Sequence, residues 1–394
     1  MKNQNDKNPG ELRVCVSVKG RFHAFYLAAQ LFKRGGLNQL VTSYPKFEVT
    51  KYGIPKNLIS SILINEIISR VSDKLPSVIK NLYNPQFFLC EMYDYLAAKN
   101  IKKGADIFVG WSGVSLKSMT RAKELGMITI LERGSSHILY QRDILQEEYK
   151  LHGIRKNAID PRGVEKELRE YAVSDYIEVP SSFAKRTFVE RGVSPDKIIL
   201  CGCGVDICQF KYGKKQDGVF RIIHCGGISF RKGVRYLLEA FYELNLPHAE
   251  LWLIGGVDDE IKPLLKKYLA TKNIYLKGPF PQSKLYAYYS QGSVFCLASI
   301  EEGLAAVILQ AMACGLPVIC TENTGGQDVI RDGIEGFIVQ IRDVKSLKEK
   351  ILYMYEHQDR CKKMGKSARQ RVRECFTWDA YGDKIASAYT KISR

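Results

Sequence analysis

The stretch Ser299-Ile300-Glu301-Glu302-Gly303-Leu304-Ala305-Ala306-Val307-Ile308-Leu309-Gln310-Ala311-Met312-Ala313-Cys314-Gly315-Leu316-Pro317 decides the fold. Two carboxylates and a glycine lead into an uncharged helical run, which Gly315 and Pro317 stop, as a C-terminal glycine and a following proline do. Strand-like Val318-Ile319-Cys320 follows, so the segment reads as a buried helix, turn and strand and not as a membrane span. A helix that begins on a short glycine loop presents free N–H groups and a positive dipole end, which suit an anion. The spacing alone equally suits a plain core helix behind a glycine turn, and the surrounding sequence has to decide.

Working outward, the second half alternates strands, glycine turns and helices. Phe220-Arg221-Ile222-Ile223-His224-Cys225 reads as a strand, Gly226-Gly227 as a tight turn, and Ser229-Phe230-Arg231-Lys232-Gly233 as the loop into a helix over Val234–Leu244. Leu251–Ile254, Ile274–Leu276 and Val294–Leu297 read as further strands, with helices near Glu260–Leu269 and Lys284–Gln291 between them. Such alternation builds a parallel sheet covered on both faces by helices. The polar run Lys211–Gly218 is the linker candidate.

The first half repeats the pattern. Leu12–Val18 reads as a strand, Lys19-Gly20-Arg21-Phe22-His23 as a loop and Ala24–Gly35 as a helix. Asp106–Gly110, Ile128–Leu131 and Tyr176–Pro180 read as strands, the segments Ser112–Leu125 and 163–174 as helices, and Ser181-Ser182 as a helix N-cap. His23 and His137 each lie just past a strand end, where ligands bind in this architecture; a solvent-exposed helix-start histidine is an equal reading of His23. Over residues 55–83, Leu58, Ile59, Ile62, Leu63, Ile67, Val71, Leu75, Val78 and Ile79 recur at helical spacing beside Lys56, Arg70, Lys74 and Lys80. That stripe suits either ordinary core or a helix lying on an anionic membrane surface.

The 394 residues carry 59 Lys and Arg against 42 Asp and Glu, a formal charge of +17. The excess is spread over both halves: 31 against 21 in residues 1–200, and 28 against 21 in residues 201–394. Such a field favours nucleotides, anionic lipid surfaces or nucleic acid without choosing among them. No basic–aromatic interleaving of a nucleic-acid module occurs, which weighs against that partner. Eleven dispersed cysteines show no disulfide framework, and Cys201-Gly202-Cys203 with Cys208 lacks a second pair at zinc spacing. The polar Met1–Gly10 segment has no apolar core, so it does not read as a signal peptide, and a cytoplasmic protein is expected.

Taken in order, these blocks resemble the glycosyltransferase family four pattern. They are Gly20 and His23; Ser181-Ser182 with Gly204-Val205-Asp206; Gly226 through Lys232-Gly233; Glu302-Gly303 through Pro317; Gly325-Gly326; and Asp332-Gly333-Ile334-Glu335-Gly336. The resemblance implies an α/β GT-B fold, two Rossmann-like doubly wound parallel-sheet domains facing a central cleft. It divides the chain into an acceptor domain over 11–210, a nucleotide-sugar domain over 211–375 and a helix over 376–394 crossing back to the first domain. It further implies retaining, metal-independent sugar transfer from a UDP-, GDP- or ADP-sugar, with no cofactor. No Asp-x-Asp pair occurs in the sequence, so cations must offset the leaving diphosphate, and Arg231 and Lys232 are the candidates. Gly226, Gly227, Phe280, Gly303, Leu304, Ala305, Ala306 and Val307 complete the expected donor site. Gly20, His23 and His137 face the acceptor or the transferred sugar in the resembled family, and His137 and Glu302 join Arg231 and Lys232 as the expected catalytic group.

Three positions depart from the family pattern. The second glutamate of Glu-x7-Glu is Gln310, the usual arginine after Gly226 is Gly227, and a usual glycine is Ala305. Gln310 still offers a carbonyl and an amide to ribose hydroxyls. The implied acceptor is a glycan or a lipid-linked glycan in polysaccharide, lipopolysaccharide or glycolipid assembly, met at the inner membrane face. Alternative readings are a nucleotide-sugar epimerase and a catalytically silent nucleotide-sugar-binding protein.

Overall fold

A computed structural model describes residues 12–64, 66–68, 85–270 and 273–393. The first sheet holds β1 (Val14–Val18), β2 (Leu37–Thr42), β3 (Ile59–Ser61), β4 (Ile107–Trp111), β5 (Ile128–Glu132), β6 (Tyr176–Val179) and β7 (Ile198–Leu200). Their order is β3-β2-β1-β4-β5-β6-β7, with every pairing parallel. The second sheet holds β8 (Phe220–Cys225), β9 (Ala249–Ile254), β10 (Ile274–Gly278), β11 (Val294–Leu297), β12 (Val318–Thr321) and β13 (Gly336–Val339). It too is wholly parallel, in the order β10-β9-β8-β11-β12-β13. Every residue of β1, β8 and β11 is buried, as continuous apolar runs require when helices cover both faces of a sheet.

Both sheets reverse direction beside their first strand, between β1 and β4 and between β8 and β11. In open parallel sheets the crevice outside such a reversal is the binding position. In the second sheet, the loops leaving it are the 226–233 turn and the 298–305 stretch singled out in the sequence.

Residues 211–218 carry no helix or strand and lead into β8. The closing helix Trp378–Ile392 returns to the first domain, where Tyr381, Ile385 and Tyr389 join the core around β1 and β4. Trp378 stacks on Tyr26 with ring centroids 4.1 Å apart and planes 5° from parallel. Lys33 pairs with Asp379 at 2.7 Å and Arg34 with Asp383 at 2.6 Å. The two chain crossings between domains touch: Val205 bridges Thr377, and its N–H donates to the Phe376 carbonyl at 2.9 Å. A side chain on Gly204 would meet the Trp378 indole at 2.7 Å, so only glycine lets the crossings lie this close.

Two readings of the sequence need correction. The 55–83 stripe is not one helix: Lys56–Leu58 form a 3-10 turn and Ile59–Ser61 the edge strand β3, whose register against β2 buries Ile59. Helix begins only after Ile62, and Val71, Leu75, Val78, Ile79, Arg70, Lys74 and Lys80 lie outside the described residues. The helical segment read over Ser112–Leu125 spans Leu116–Glu124, because the buried Ser115 and Gly113 amides are taken by Glu170. Helices over Gln86–Asn100 and Ile138–Leu151 had no separate reading. All eleven cysteines are free thiols.

The crossings predict a measurable weakness. Trp378→Ala removes the Tyr26 stack and the Gly204 contact, and should lower stability by about 2 kcal/mol in urea unfolding. Gly204→Val should cause a comparable loss through the opposite fault, a clash.

Candidate active site at the interdomain cleft

The turn after β8 is held open by glycines for steric reasons. A Cβ on Gly233 (φ +61°) would lie 1.8 Å from the Ala298 carbonyl oxygen, so only glycine lets the two loops of the second sheet's reversal touch. Ile300 N–H then donates to the Arg231 carbonyl at 2.8 Å, fastening one loop to the other. This contact brings Arg231 and Lys232 against Glu301 and Glu302. Arg231 Nε lies 3.1 Å from Glu301 Oε2 and its Nη2 3.5 Å from Glu302 Oε2, while Lys232 Nζ pairs with Glu302 Oε1. A Cβ on Gly226 (φ +139°) would rest 3.7 Å from the Lys232 stem, which passes over this glycine. Gly227 has open space beside it.

The Ala306–Ala313 helix begins at Ala305 without a side-chain cap, and no acidic residue occupies its first turn. Ala305 N–H donates to the Thr324 carbonyl at 3.2 Å and Ile308 N–H to the Ala305 carbonyl at 2.9 Å, which leaves the Ala306 and Val307 amides available to an anion. Gln310 is buried, and its Oε1 accepts from the Tyr289 hydroxyl at 3.3 Å. Phe280 stacks on Tyr288 with centroids 4.3 Å apart, and Gly278 O accepts from Gly255 N–H at 3.0 Å. Thus the donor positions read from sequence surround the carboxyl edge of β8 and β11.

The first domain closes the other side. A cavity of about 320 Å³ is lined by Leu304, Ala306 and Gln310 from the second domain and by Arg21, His23 and Gly134 from the first. Gly303 meets the first domain closely, since a Cβ there would lie 2.1 Å from the Gly134 carbonyl oxygen. Its own carbonyl accepts from Ser181 Oγ at 2.6 Å, and that hydroxyl also caps the Ser182–Val189 helix. The Gly20 loop is tied down by Gly20 N–H donating to Ser43 Oγ and Thr42 Oγ1 donating to the Gly20 carbonyl, both at 3.0 Å.

His23 lines the cavity, and its Nε2 lies 3.3 Å from Glu132 Oε1. Behind Glu132, burial and the Glu132 charge push the Glu178 carboxyl well above the usual range, and the Tyr389 hydroxyl donates to it at 2.7 Å. His137 does not line the cavity. Its ring is buried between Tyr171 and Phe188, its Nδ1 accepts from Leu139 N–H at 3.1 Å as the cap of the Ile138–Leu151 helix, and burial lowers its pKa to about 4. Burial disfavours its charged form, and it caps a helix away from the cavity-lining residues.

Glu301 was not singled out as a site residue, yet it organises the cleft. The side chain is fully buried and accepts from Ser135 Oγ and Ser136 Oγ, both at 2.6 Å, from Ser136 N–H at 3.1 Å and from Gln141 Nε2 at 2.8 Å. All four donors belong to the first domain, whereas its ion-pair partner Arg231 belongs to the second. Burial would raise its pKa, but Arg231, the serine hydroxyls and Arg133 outweigh burial and hold it at about 2. The Glu301-Glu302 pair was visible as a doublet in the sequence; what separates their roles is the direction each side chain takes.

Residues 209–371 match the family described as Glycosyl transferases group 1. Curated relatives include the putative glycosyltransferase EpsD of Bacillus subtilis, 28% identical over 186 residues that make up 45% of this chain and 48% of that one. The capsular polysaccharide biosynthesis glycosyltransferase CapM of Staphylococcus aureus is 26% identical over 235 residues, 56% of this chain and 62% of that one. The chain spans about half the length of the first curated relatives it matches, 48%, 58% and 52%. Among solved structures, sucrose-phosphate synthase from Thermosynechococcus elongatus superposes with a TM-score of 0.71 at 18% identity, covering 97% of this chain and 99% of that one. Anabaena HepE in complex with UDP and glucose gives 0.67 at 13% identity, covering 97% and 100%. The fold is GT-B, two parallel-sheet α/β domains facing a cleft.

Glu301→Ala leaves Arg231 and the two serines without their buried partner and should cost about 3–5 kcal/mol in urea unfolding. The sign in pH follows from the lowered carboxyl. Its contribution is complete above the ordinary value of 4.5 and is lost as pH falls toward about 2. Acid titration of stability should therefore show a loss across that window which is smaller in Glu301→Gln.

Proposed function

We propose that this protein is a glycosyltransferase that moves a sugar, with retention and without a metal, from a nucleotide-diphosphate sugar to a glycan or lipid-linked acceptor in polysaccharide assembly. The observation that carries this reading is the convergence of Arg231, Lys232 and the uncapped start of the Ala306–Ala313 helix at one edge of the cleft. Two cations and free backbone N–H groups suit a diphosphate, whose charge grows as the sugar bond breaks. Glu302 pairs with Lys232; when a donor enters, Lys232 turns to a phosphate oxygen and Glu302 is released to accept from sugar hydroxyls. Gln310 keeps its amide for the ribose, because Tyr289 already donates to its carbonyl. A uridine donor is favoured because HepE, of the same fold, has been solved with UDP and with UDP-glucose. Polysaccharide assembly is favoured by relatives named for capsular polysaccharide and colanic acid biosynthesis.

The His23–Glu132 contact favours a second reading, inverting transfer, in which a histidine backed by a carboxylate takes the acceptor proton directly. The anomeric configuration of the first-formed product, read by NMR, separates the two.

A thermal-shift panel of UDP-, GDP- and ADP-sugars should show stabilisation by a UDP-sugar, and turnover with acceptor should follow. Lys232→Ala should lower kcat by about 10²–10³-fold, the usual cost of losing one group that stabilises leaving charge. Formation of a nucleotide-sugar isomer without acceptor would instead establish an epimerase.

A lipid-linked acceptor is supported by the surface at the carboxyl edge of the first sheet. Phe22, Phe47, Leu63, Ile64 and Ile67 are exposed there beside Lys46 and Lys56. No described helix is long and apolar enough to cross a membrane, so contact with lipid is peripheral in this reading. Lys46→Glu with Lys56→Glu should reduce binding to phosphatidylglycerol vesicles, measured by co-sedimentation, and unchanged binding would remove this support.

A further inference from the structure

A second cavity, of about 880 Å³, opens at the opposite edge of the second sheet, where β8, β11 and β12 begin. Its floor is apolar, made by Phe220, Tyr289, Leu316 and Pro317. One wall is the linker, through Tyr212 and Lys215; the other is the Gln358–Cys375 helix. The volume is within the range of small-molecule sites.

The helix wall is basic in a regular way. Lys362, Lys366, Arg369 and Arg373 follow one another at spacings of four, three and four residues, which places them on one face, and all four line the cavity. Like charges at such spacings repel, and a solvated helix face ordinarily interleaves acids to offset this. Only two acids line the cavity against these cations: Asp217 pairs with Arg221 at 2.9 Å and lies 4.0 Å from Lys215, and Glu374 accepts from Gln370 at 2.9 Å. Lys362 reaches Asp359 at 3.4 Å, whereas Lys366, Arg369 and Arg373 form no ion pair among the described residues. Across the cavity, Lys215 adds a fifth cation, held by Ser293 Oγ at 2.7 Å. The Arg369 guanidinium lies 5.3 Å from the centre of the half-exposed Tyr212 ring, giving a planar surface beside the cationic row.

We propose that this cavity binds a nucleoside polyphosphate, with the base against Tyr212 and Arg369 and the phosphate chain along Lys366, Arg369 and Arg373. The cations call for several adjoining anionic oxygens, and the apolar floor and flat aromatic surface call for a planar body attached to them. The site is separate from the cleft, which lies at the carboxyl ends of the strands. It is bounded by the 211–218 segment and by the helix that runs into Phe376 and the crossing at Thr377.

The test uses ATP as probe with the full chain. Isothermal titration and thermal shift should show ATP binding by wild type and, undiminished, by Lys232→Ala, whose change lies in the cleft. Lys366→Glu with Arg369→Glu should weaken that binding by about tenfold or more. Lys366→Gln with Arg369→Gln, a milder pair that keeps the side-chain stems, should weaken it in the same direction while keeping the wild-type unfolding midpoint in buffer. Pyrophosphate, which lacks the planar body, should bind more weakly than ATP. Absence of ATP binding at millimolar concentration would overturn the proposal, as would loss of binding in Lys232→Ala with retention in both helix variants.

Discussion

A single buried carboxylate, Glu301, joins the two halves of this molecule. Removing an ion from water is costly unless every lone pair finds a partner, and here five contacts from both domains meet that requirement. The arrangement has a directional consequence. First-domain groups in hydrogen-bond contact with Glu301 are all neutral and Arg133 acts on it only through its field, while the only cation within ion-pair distance among the described residues is Arg231 of the second domain. Arg231 is therefore positioned by the first domain through an intermediary. A second clasp of the same design lies farther along, where buried Glu148 of the Ile138–Leu151 helix accepts from Tyr236 at 2.9 Å and from Arg342 at 2.8 Å. Ile144 and Leu145 of the same helix enter the second domain's core between these polar contacts.

The cleft chemistry rests on this fastening. Arg231 and Lys232 differ in what they touch: Arg231 bridges Glu301 and Glu302, whereas Lys232 pairs only with Glu302. A planar guanidinium can serve two carboxylates and keep a third edge free, while an ammonium exchanges one partner for another more readily. The pair thus divides into a fixed cation and a movable one. Both stand at the reversal of the sheet, where the backbone itself adds positive potential from the start of the Ala306–Ala313 helix.

Much of this was legible in the chain because it rests on local pattern. Strand runs such as Phe220–Cys225 and the helix stopped by Gly315 and Pro317 follow from short-range periodicity and turn chemistry, and the structure holds both. What was not legible depends on partners distant in sequence. Glu301 and Glu302 are adjacent and identical, and only the approach of Ser135, Ser136 and Gln141 distinguishes them. His137 reads as a cleft residue by position, but Tyr171 and Phe188 enclose it. The 55–83 pattern misleads at its start because Ile59 alternates with its neighbours on an edge strand while matching helical spacing by coincidence.

The closing helix has a consequence for how the protein is made. Tyr381, Ile385 and Tyr389 belong to the core of the domain that begins at β1, and the Tyr389 hydroxyl donates to the buried Glu178 carboxyl. A ribosome delivers residues in order, and domains ordinarily fold as they emerge. Here the first sheet emerges complete at β7, yet the last pieces of its core arrive only after the whole second sheet has been synthesised. The nascent first domain must wait with Glu178 and the Tyr26 ring uncovered, and the second domain is finished before the first. Completion of the early domain thus waits on the late one, and a chain broken off before residue 378 lacks the Tyr381, Ile385 and Tyr389 side chains of that core.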